Sequence, residues 1–178
     1  AYGDGGLLAT DDDEIAEVAR MLRVHGSRKR YFHEEVGYNS RLDSLQAAIL
    51  RVKLPHLDAW IEGRRRVARA YSAALSGVAG VTTPIETPER YHVFNVYTVR
   101  ISGGKRDAVH EKLAQAGVSA MIYYPVPMHR MPVYAAASPG PLPMAEAAAA
   151  EVLSLPIWPQ MSDDAVLHVV EGVRQALG

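Results

Sequence analysis

The polar stretch over residues 31–43 constrains this chain more than any other part of its sequence. It reads YFHEEVGYNSRLD, so aromatic, charged and amide side chains crowd around a single glycine. A long segment follows with Leu42, Leu45 and Ile49 at helical spacing. Ordinary core sequence rarely combines these residue types. We therefore predict a polar loop over residues 27–41 that leads directly into a helix.

The remaining apolar pattern alternates between strand and helix signals. Glycine at 117 is expected to close one helix. Pro55 is expected to kink or break another, because proline lacks an amide donor and clashes with the preceding turn. The predicted strands are 7–9, 93–101, 118–124 and 155–158. The first two predicted helices run from Ile15 to Leu22 and from Leu42 to the break at Pro55. The others cover residues 57–75, 107–116 and 145–153, and a last helix runs from a cap at Ser162 to Leu177.

Three side-chain arrangements are predicted at the helix ends and faces. Residues 43–46 read DSLQ, which has the form of a capping box. Glu62 stands one turn before Arg66, a spacing that favours a surface ion pair. The run of arginines at 64–66 is interpreted as a solvated face. A nucleic-acid patch is the weaker alternative, because exposed aromatic residues do not interleave with the arginines.

Composition excludes several classes of function. The 178 residues carry a formal net charge of −1, which gives no electrostatic reason to expect nucleic acid or an anionic membrane as a partner. There is no cysteine, so disulfides, thiolate metal sites and cysteine nucleophiles are excluded. The histidines lack metal-ligand spacing, so no metal is expected, and a serine nucleophile elbow is missing. No apolar run approaches the roughly 20 residues of a membrane helix.

Three motifs together resemble the DegT/DnrJ/EryC1/StrS sugar aminotransferases. They are the turn GDGG at residues 3–6, the run GYNSRLD at 37–43 and the run YYPVPMH at 123–129. The family consists of enzymes that depend on pyridoxal 5'-phosphate (PLP) and aminate nucleotide-linked keto-sugars. The resemblance implies an α/β fold. We expect residues 1–54 to be the end of the large PLP-binding α/β domain, and 55–178 to be a smaller α+β domain with a short sheet and flanking helices.

The resemblance also implies a reaction and its partners. We expect a cytoplasmic PLP-dependent aminotransferase that moves an amino group from glutamate to a keto-sugar on a nucleoside diphosphate, as a homodimer with shared active sites. In the family, the lysine that binds PLP covalently lies about four residues before the glycine turn. That position falls before Ala1, so we expect a C-terminal half that carries no catalytic lysine and is inactive alone. The alternative is a non-catalytic domain that dimerises or binds a sugar nucleotide.

Five residues are candidates for binding, four by this resemblance and Arg41 by its chemistry. Asn39 takes the place of an asparagine that donates a hydrogen bond to the PLP phosphate of the neighbouring subunit. Arg30 lies nearest to an arginine that contacts the nucleotide diphosphate, and Arg41 is a second candidate because guanidinium groups match phosphate oxygens. Tyr124 and His129 fall in a run that lines the sugar-nucleotide pocket. Without the resemblance, Asn39 would be interpreted as a turn residue and Arg30 as an exposed loop residue.

Overall fold

The computed structural model describes residues 2–137 and 140–178, and divides into two compact units. The first unit ends at Leu57 and the second is Asp58–Gly178. The assignment of residues 1–54 and 55–178 to the two domains of the family stays a prediction.

The first unit contains two helices, α1 (Asp13–Leu22) and α2 (Ser44–Lys53). The Asp12 carboxylate caps α1 by accepting hydrogen bonds from the backbone nitrogens of Glu14 at 2.9 Å and Ile15 at 3.1 Å. The predicted break at Pro55 is confirmed, because a 3-10 turn, Leu54–His56, separates α2 from the next helix. The loop predicted over residues 27–41 is confirmed, and it extends from residue 23 to residue 43.

Two predictions for the first unit are wrong. Residues 7–9 form no strand, since no neighbouring segment among the described residues pairs with their backbone, and Leu7 and Leu8 stay 95% and 61% exposed. The capping box is also absent. Asp43 makes no side-chain cap hydrogen bond, and Gln46 Oε1 instead accepts from the backbone nitrogen of Tyr2 at 2.6 Å. Long-range contact with the glycine-rich segment thus replaces the local interaction.

The second unit packs helices against a small antiparallel sheet, as the α/β prediction with a short sheet implies. Its elements are α3 (Leu57–Leu75), β1 (Val81–Thr82), β2 (Tyr97–Ile101), α4 (Arg106–Gln115), α5 (Pro143–Glu151), β3 (Val152–Leu155) and α6 (Asp163–Leu177). The helix α3 begins at the last residue of the first unit. The strand β2 lies in the middle of the sheet, with Val81 opposite Ile101 and Tyr97 opposite Leu155.

The core of the second unit lies between this sheet and three of its helices. Tyr71 and Tyr97 pack there with ring centroids 5.1 Å apart. Each buried hydroxyl has a partner: Tyr71 donates to the carbonyl oxygen of Pro156 at 2.8 Å, and Tyr97 shares a 2.8 Å hydrogen bond with Ser72. The burial that surrounds the two phenols raises both pKa values. Other buried members are Val67, Leu75, Val99, Ile101, Val109, Leu113, Leu153, Met161, Val169, Val170 and Val173.

The strand predictions of the second unit are only partly right. Residues 118–124 make one isolated bridge, in which Met121 exchanges both backbone hydrogen bonds with Ser154, and no regular strand. The prolines that follow this segment cannot extend a ladder, because they have no amide donor. The predicted extended piece at 155–158 is shifted, since β3 starts at Val152 directly after α5 and ends at Leu155.

The arginine run of α3 is not a solvated face. Arg64 Nε donates to the carbonyl oxygen of Val93 at 3.0 Å. Arg66 binds Asp163 and the carbonyl oxygen of Met161. The predicted pair of Glu62 with Arg66 is therefore wrong.

Arg65 connects α3 to the segment that precedes β2. It pairs with Glu86, donates to the carbonyl oxygen of His92 at 2.7 Å, and stacks on Tyr91 at 4.2 Å. Glu62 pairs with Arg65 at 3.5 Å rather than with Arg66. All three arginines thus hold distant segments of the unit.

Candidate functional site

The C-terminal end of α1 fixes the main chain around Asn39. The Tyr38 nitrogen donates to the carbonyl oxygen of Leu22 at 2.7 Å, and the Ser40 nitrogen donates to that of Arg23 at 2.9 Å. Asn39 itself forms an isolated antiparallel bridge with Val24. Because its backbone is held on both sides, the Asn39 side chain starts from a defined position.

This arrangement depends on two glycines, at which two segments of the chain cross with their backbones in close contact. Gly26 has a φ of +69°, in the left-handed region that side chains disfavour. A Cβ at Gly26 would lie 1.9 Å from the carbonyl oxygen of Glu35. Gly37 occupies the other side of the crossing. The segment that carries Asn39 can therefore approach the end of α1 only if both positions are glycine.

A pocket of about 930 Å³ in the first unit brings two of the sequence motifs together. The glycine-rich turn contributes Asp4, Gly5 and Gly6, and residues 39–42 form a second part of the lining. The last turn of α1 and its C-cap contribute Arg20 and Arg23. The other lining residues are Leu7, Leu8, Ala9, Thr10, Ala16 and Ala19.

The charge of this lining favours an anion. Arg20, Arg23 and Arg41 bring three guanidinium groups, against the single carboxylate of Asp4. Asn39 Oδ1 accepts a hydrogen bond from Arg41 Nε at 3.2 Å. This contact leaves the two N–H donors of the Asn39 amide for another acceptor. The pocket thus offers guanidinium groups and the neutral amide N–H donors of Asn39, a combination that suits phosphate oxygens.

Arg30 lies in the same loop but outside this lining. Its guanidinium sits over the ring of Tyr31 at 4.8 Å, and Lys29 is placed in the same way over Phe32 at 5.1 Å. Arg30 is exposed. The structure does not bring it together with Asn39, and its contact with a diphosphate stays a prediction.

The second unit carries the other two predicted residues. Tyr124 is 71% exposed, and its ring centroid is 5.6 Å from that of Tyr123. His129 lies in the short 3-10 turn Met128–Arg130, and only 6% of its side chain is exposed. The His129 Nε2 atom is 2.8 Å from the Glu146 carboxylate. Tyr124 is therefore available for stacking, whereas the His129 ring is held at one nitrogen.

Glu146, in the first turn of α5, is a residue that the sequence analysis missed. Hydrogen bonds from His129, the Leu142 backbone nitrogen and Arg130 lower the pKa of its carboxyl to about 2. The carboxylate is thus charged at neutral pH. The sequence signal for this position is a glutamate three residues after the last proline of a predicted loop, which places it in the first turn of a helix but does not indicate its partners. Arg20 and Arg23 were also missed, because their helical spacing is equally typical of a solvated surface.

The described ranges 2–137 and 140–178 contain neither a candidate metal site nor a helix that could span a membrane. No group of three or more histidine, aspartate and glutamate side chains there is arranged to hold a metal ion. None of the helices in these ranges has the length and apolarity needed to cross a membrane.

Comparison with known proteins identifies the family. A profile of the DegT/DnrJ/EryC1/StrS aminotransferase family matches residues 1–174. The chain belongs to this family. Its resemblance to sugar aminotransferases, derived above from three motifs, is therefore confirmed.

Individual members of the family show how far the similarity extends. A pleiotropic regulatory protein of Geobacillus stearothermophilus is 49% identical over 98% of this chain and 48% of its own length. The dTDP-3-amino-3,4,6-trideoxy-alpha-D-glucose transaminase of Streptomyces venezuelae is 44% identical over 98% of this chain and 46% of its own length. The chain thus spans about half the length of these relatives.

A solved structure shows the same fold. The crystal structure of DesV of S. venezuelae, in complex with a ketimine intermediate, superposes with a TM-score of 0.88 at 43% identity. The superposition covers 93% of this chain and 45% of that one. This member of the DegT/DnrJ/EryC1/StrS family therefore has the fold of half of a sugar aminotransferase.

Proposed function

We propose that the protein is a PLP-dependent aminotransferase that transfers an amino group from glutamate to a keto-sugar carried on a nucleoside diphosphate. One observation carries the proposal: the glycine-rich turn and the Asn39 motif, both singled out from the family resemblance, line one pocket rich in anion-binding groups. The relatives support the substrate class, because the Streptomyces protein is named for a transaminase of a dTDP-linked sugar. We place the protein in the cytoplasm.

The residues present fit the phosphate of PLP. Bound PLP would supply the electron sink for the amino transfer. In this chain, Asn39 would donate an amide N–H to the phosphate, and Arg41 would hold the Asn39 oxygen so that the nitrogen faces the anion. Arg20 and Arg23 would add positive charge to the same pocket. The PLP would belong to the neighbouring subunit of a homodimer, so that both subunits form each site.

The remaining candidates would bind the second substrate. Arg30, exposed and stacked on Tyr31, would contact the diphosphate through its planar guanidinium. Tyr124 would stack on the sugar or the base, and His129 would form a hydrogen bond to the sugar. The lysine that binds PLP covalently in the family would complete the site.

The decisive experiment is a comparison of PLP retention in the full-length protein. The substitution Asn39→Ala removes one hydrogen bond to a charged group, which is worth about 1.5–3 kcal/mol, so we expect PLP to bind about tenfold more weakly or worse. The change Asn95→Ala is the matched control, because Asn95 lies in the second unit, outside the pocket lining. Equal PLP affinity of Asn39→Ala and the wild type would remove Asn39 from the cofactor site.

A second candidate function has one observation in its favour. The Geobacillus relative is named a regulatory protein although it is 49% identical. We therefore also consider a non-catalytic protein that dimerises or binds a sugar nucleotide. A turnover assay separates the two functions: with glutamate and a dTDP-linked keto-sugar, the aminotransferase releases 2-oxoglutarate, whereas the binding protein yields none.

A further inference from the structure

One oxygen atom of Glu146 collects four hydrogen bonds in the second unit. Its Oε1 atom accepts from His129 Nε2 at 2.8 Å, from Arg130 Nε at 3.2 Å and Nη2 at 3.0 Å, and from the Leu142 backbone nitrogen at 3.0 Å. We call these four residues the Glu146 cluster. The cluster ties the turn that carries His129 to the first turn of α5.

The contacts within the Glu146 cluster differ in their access to water. The His129 side chain is 6% exposed, whereas the side chains of Arg130 and Glu146 are 53% and 33% exposed. Water therefore screens the ion pair with Arg130 and weakens it. The hydrogen bond from His129 is protected and stronger, so it is the contact that determines how the imidazole is held.

The charge of Glu146 dictates the position of a proton on His129. An ionised carboxylate only accepts hydrogen bonds, so His129 Nε2 must carry the hydrogen. The low pKa of Glu146 keeps it ionised at neutral pH. In a neutral imidazole, a proton on Nε2 leaves Nδ1 as an acceptor. Within the described part of the chain, His129 Nδ1 has no hydrogen-bond partner.

We propose that Glu146 is a positioning residue, which holds the His129 imidazole with its proton on Nε2 and so presents Nδ1 as the acceptor for a hydroxyl group of the substrate sugar. The inference rests on the proposed function, because it takes His129 as a group that touches the sugar nucleotide. The inference adds Glu146 to the proposed function as a residue that acts through the His129 side chain. It also gives the direction of the hydrogen bond between the sugar and His129. A sugar hydroxyl would donate to Nδ1, and a carbonyl oxygen at the same place would be rejected.

A purely mechanical role for the Glu146 cluster is the competing explanation. Glu146 would then only fasten the loop, and the state of the imidazole would not matter. The substitution Arg130→Met separates the two roles, because it removes two of the four hydrogen bonds and leaves the contact with His129 in place. Glu146→Leu removes all four, and Glu146→Gln keeps a neutral acceptor of the same shape.

The test is long-range proton–nitrogen NMR of the imidazole in the full-length protein, recorded at about pH 8, where free imidazole is neutral. We expect a proton fixed on Nε2 in the wild type, in Arg130→Met and in Glu146→Gln, and a mixture of the two tautomers in Glu146→Leu. The proposal is overturned if Glu146→Leu keeps the wild-type state, or if Arg130→Met perturbs the imidazole as much as Glu146→Leu does.

A second arm uses dTDP-glucose as the probe ligand. Binding should shift the Nδ1 resonance of the wild type, and Glu146→Leu should weaken binding about tenfold while Arg130→Met stays within about twofold. An Nδ1 resonance that dTDP-glucose does not move overturns the proposal. None of these readouts requires turnover, so a failed aminotransferase assay would reject the proposed function by itself.

Discussion

A Cβ atom added to Gly37 would stand 2.0 Å from the backbone nitrogen of Gly26. No rotation of a side chain relieves such a contact, because both partners are main chain. The crossing therefore tolerates only glycine, and it holds the segment with Asn39 against the end of α1.

The first prediction concerns this crossing. Gly37→Ala should force the two backbones apart and break the hydrogen bond from Tyr38 to Leu22, with a loss of stability of about 1–3 kcal/mol. Thermal unfolding of the full-length protein measures the loss. Gly6→Ala is the control for stability, since its added Cβ meets nothing within 4 Å. Equal melting temperatures for the two variants would contradict the crossing.

Tyr71 offers a second prediction. Tyr71→Phe removes the hydroxyl that donates to Pro156 and leaves that carbonyl oxygen without its partner, so the free energy of unfolding should fall by about 1 kcal/mol. Urea denaturation measures the change. Tyr134→Phe is the matched control, because Tyr134 is 43% exposed and should change stability little. A Tyr71→Phe variant as stable as this control would show that the buried hydrogen bond adds nothing.

The third prediction sets helix propensity against packing. Alanine is preferred to glycine inside a helix by about 1 kcal/mol. At Gly63 in α3, however, a Cβ would lie 2.4 Å from the carbonyl oxygen of Pro159, and backbone cannot rotate away. Gly63→Ala should therefore be destabilising by about 1–3 kcal/mol in denaturant titration.

The control for Gly63 is Gly172 in α6. Its added Cβ would meet Leu113 Cδ2 at 3.0 Å, the far end of a flexible side chain. Gly172→Ala should cost less stability than Gly63→Ala, because the end of a buried leucine side chain can shift by a small distance whereas a backbone carbonyl cannot. If Gly63→Ala were as stable as Gly172→Ala, the close approach of Gly63 to the carbonyl oxygen of Pro159 would be contradicted.

The fourth prediction is a pH dependence. The pKa of Glu146 is lowered from 4.5 to about 2, so its contacts stabilise the fold above pH 4.5 and are lost as the pH falls towards 2. The charged and titratable groups that face it are His129 and Arg130. The amide proton of Leu142, which donates to Glu146, should keep its chemical shift through pH 4.5 and change only at more acidic pH.

Glu146→Gln is the control for this titration, because its amide has no proton to gain in the acid range. The Leu142 shift should then stay flat over the same window. A wild-type midpoint near 4.5 would show that the cluster does not stabilise the carboxylate.

Sequence alone predicted helices well where the signal is local. The cap at Ser162, the stop at Gly117 and the break at Pro55 depend on a few neighbouring residues, and the structure confirms all three. The family motifs also identified Asn39, which the structure places in a pocket with the glycine-rich turn.

Contacts between distant segments could not be predicted in this way. Gln46 was expected to close a local capping box, but it accepts a hydrogen bond from Tyr2. Arg66 was expected to pair with Glu62 one turn away, but it binds Asp163. Each alternative partner is separated by many residues, and the pattern of a single segment carries no information about it. Glu146 was missed for the same reason.

The pairing of β2 with β3 joins segments that lie far apart in the sequence, so we expect it to slow the folding of this chain. Tyr97 must find Leu155, and all of α4, the proline-rich segment and α5 lie between the two strands. Closing so long a loop costs entropy before any ladder forms, and such non-local pairing is typical of slow folders. During synthesis, one edge of β2 therefore stays unpaired until Leu155 has left the ribosome. In that interval the nascent chain is most vulnerable to aggregation through β2.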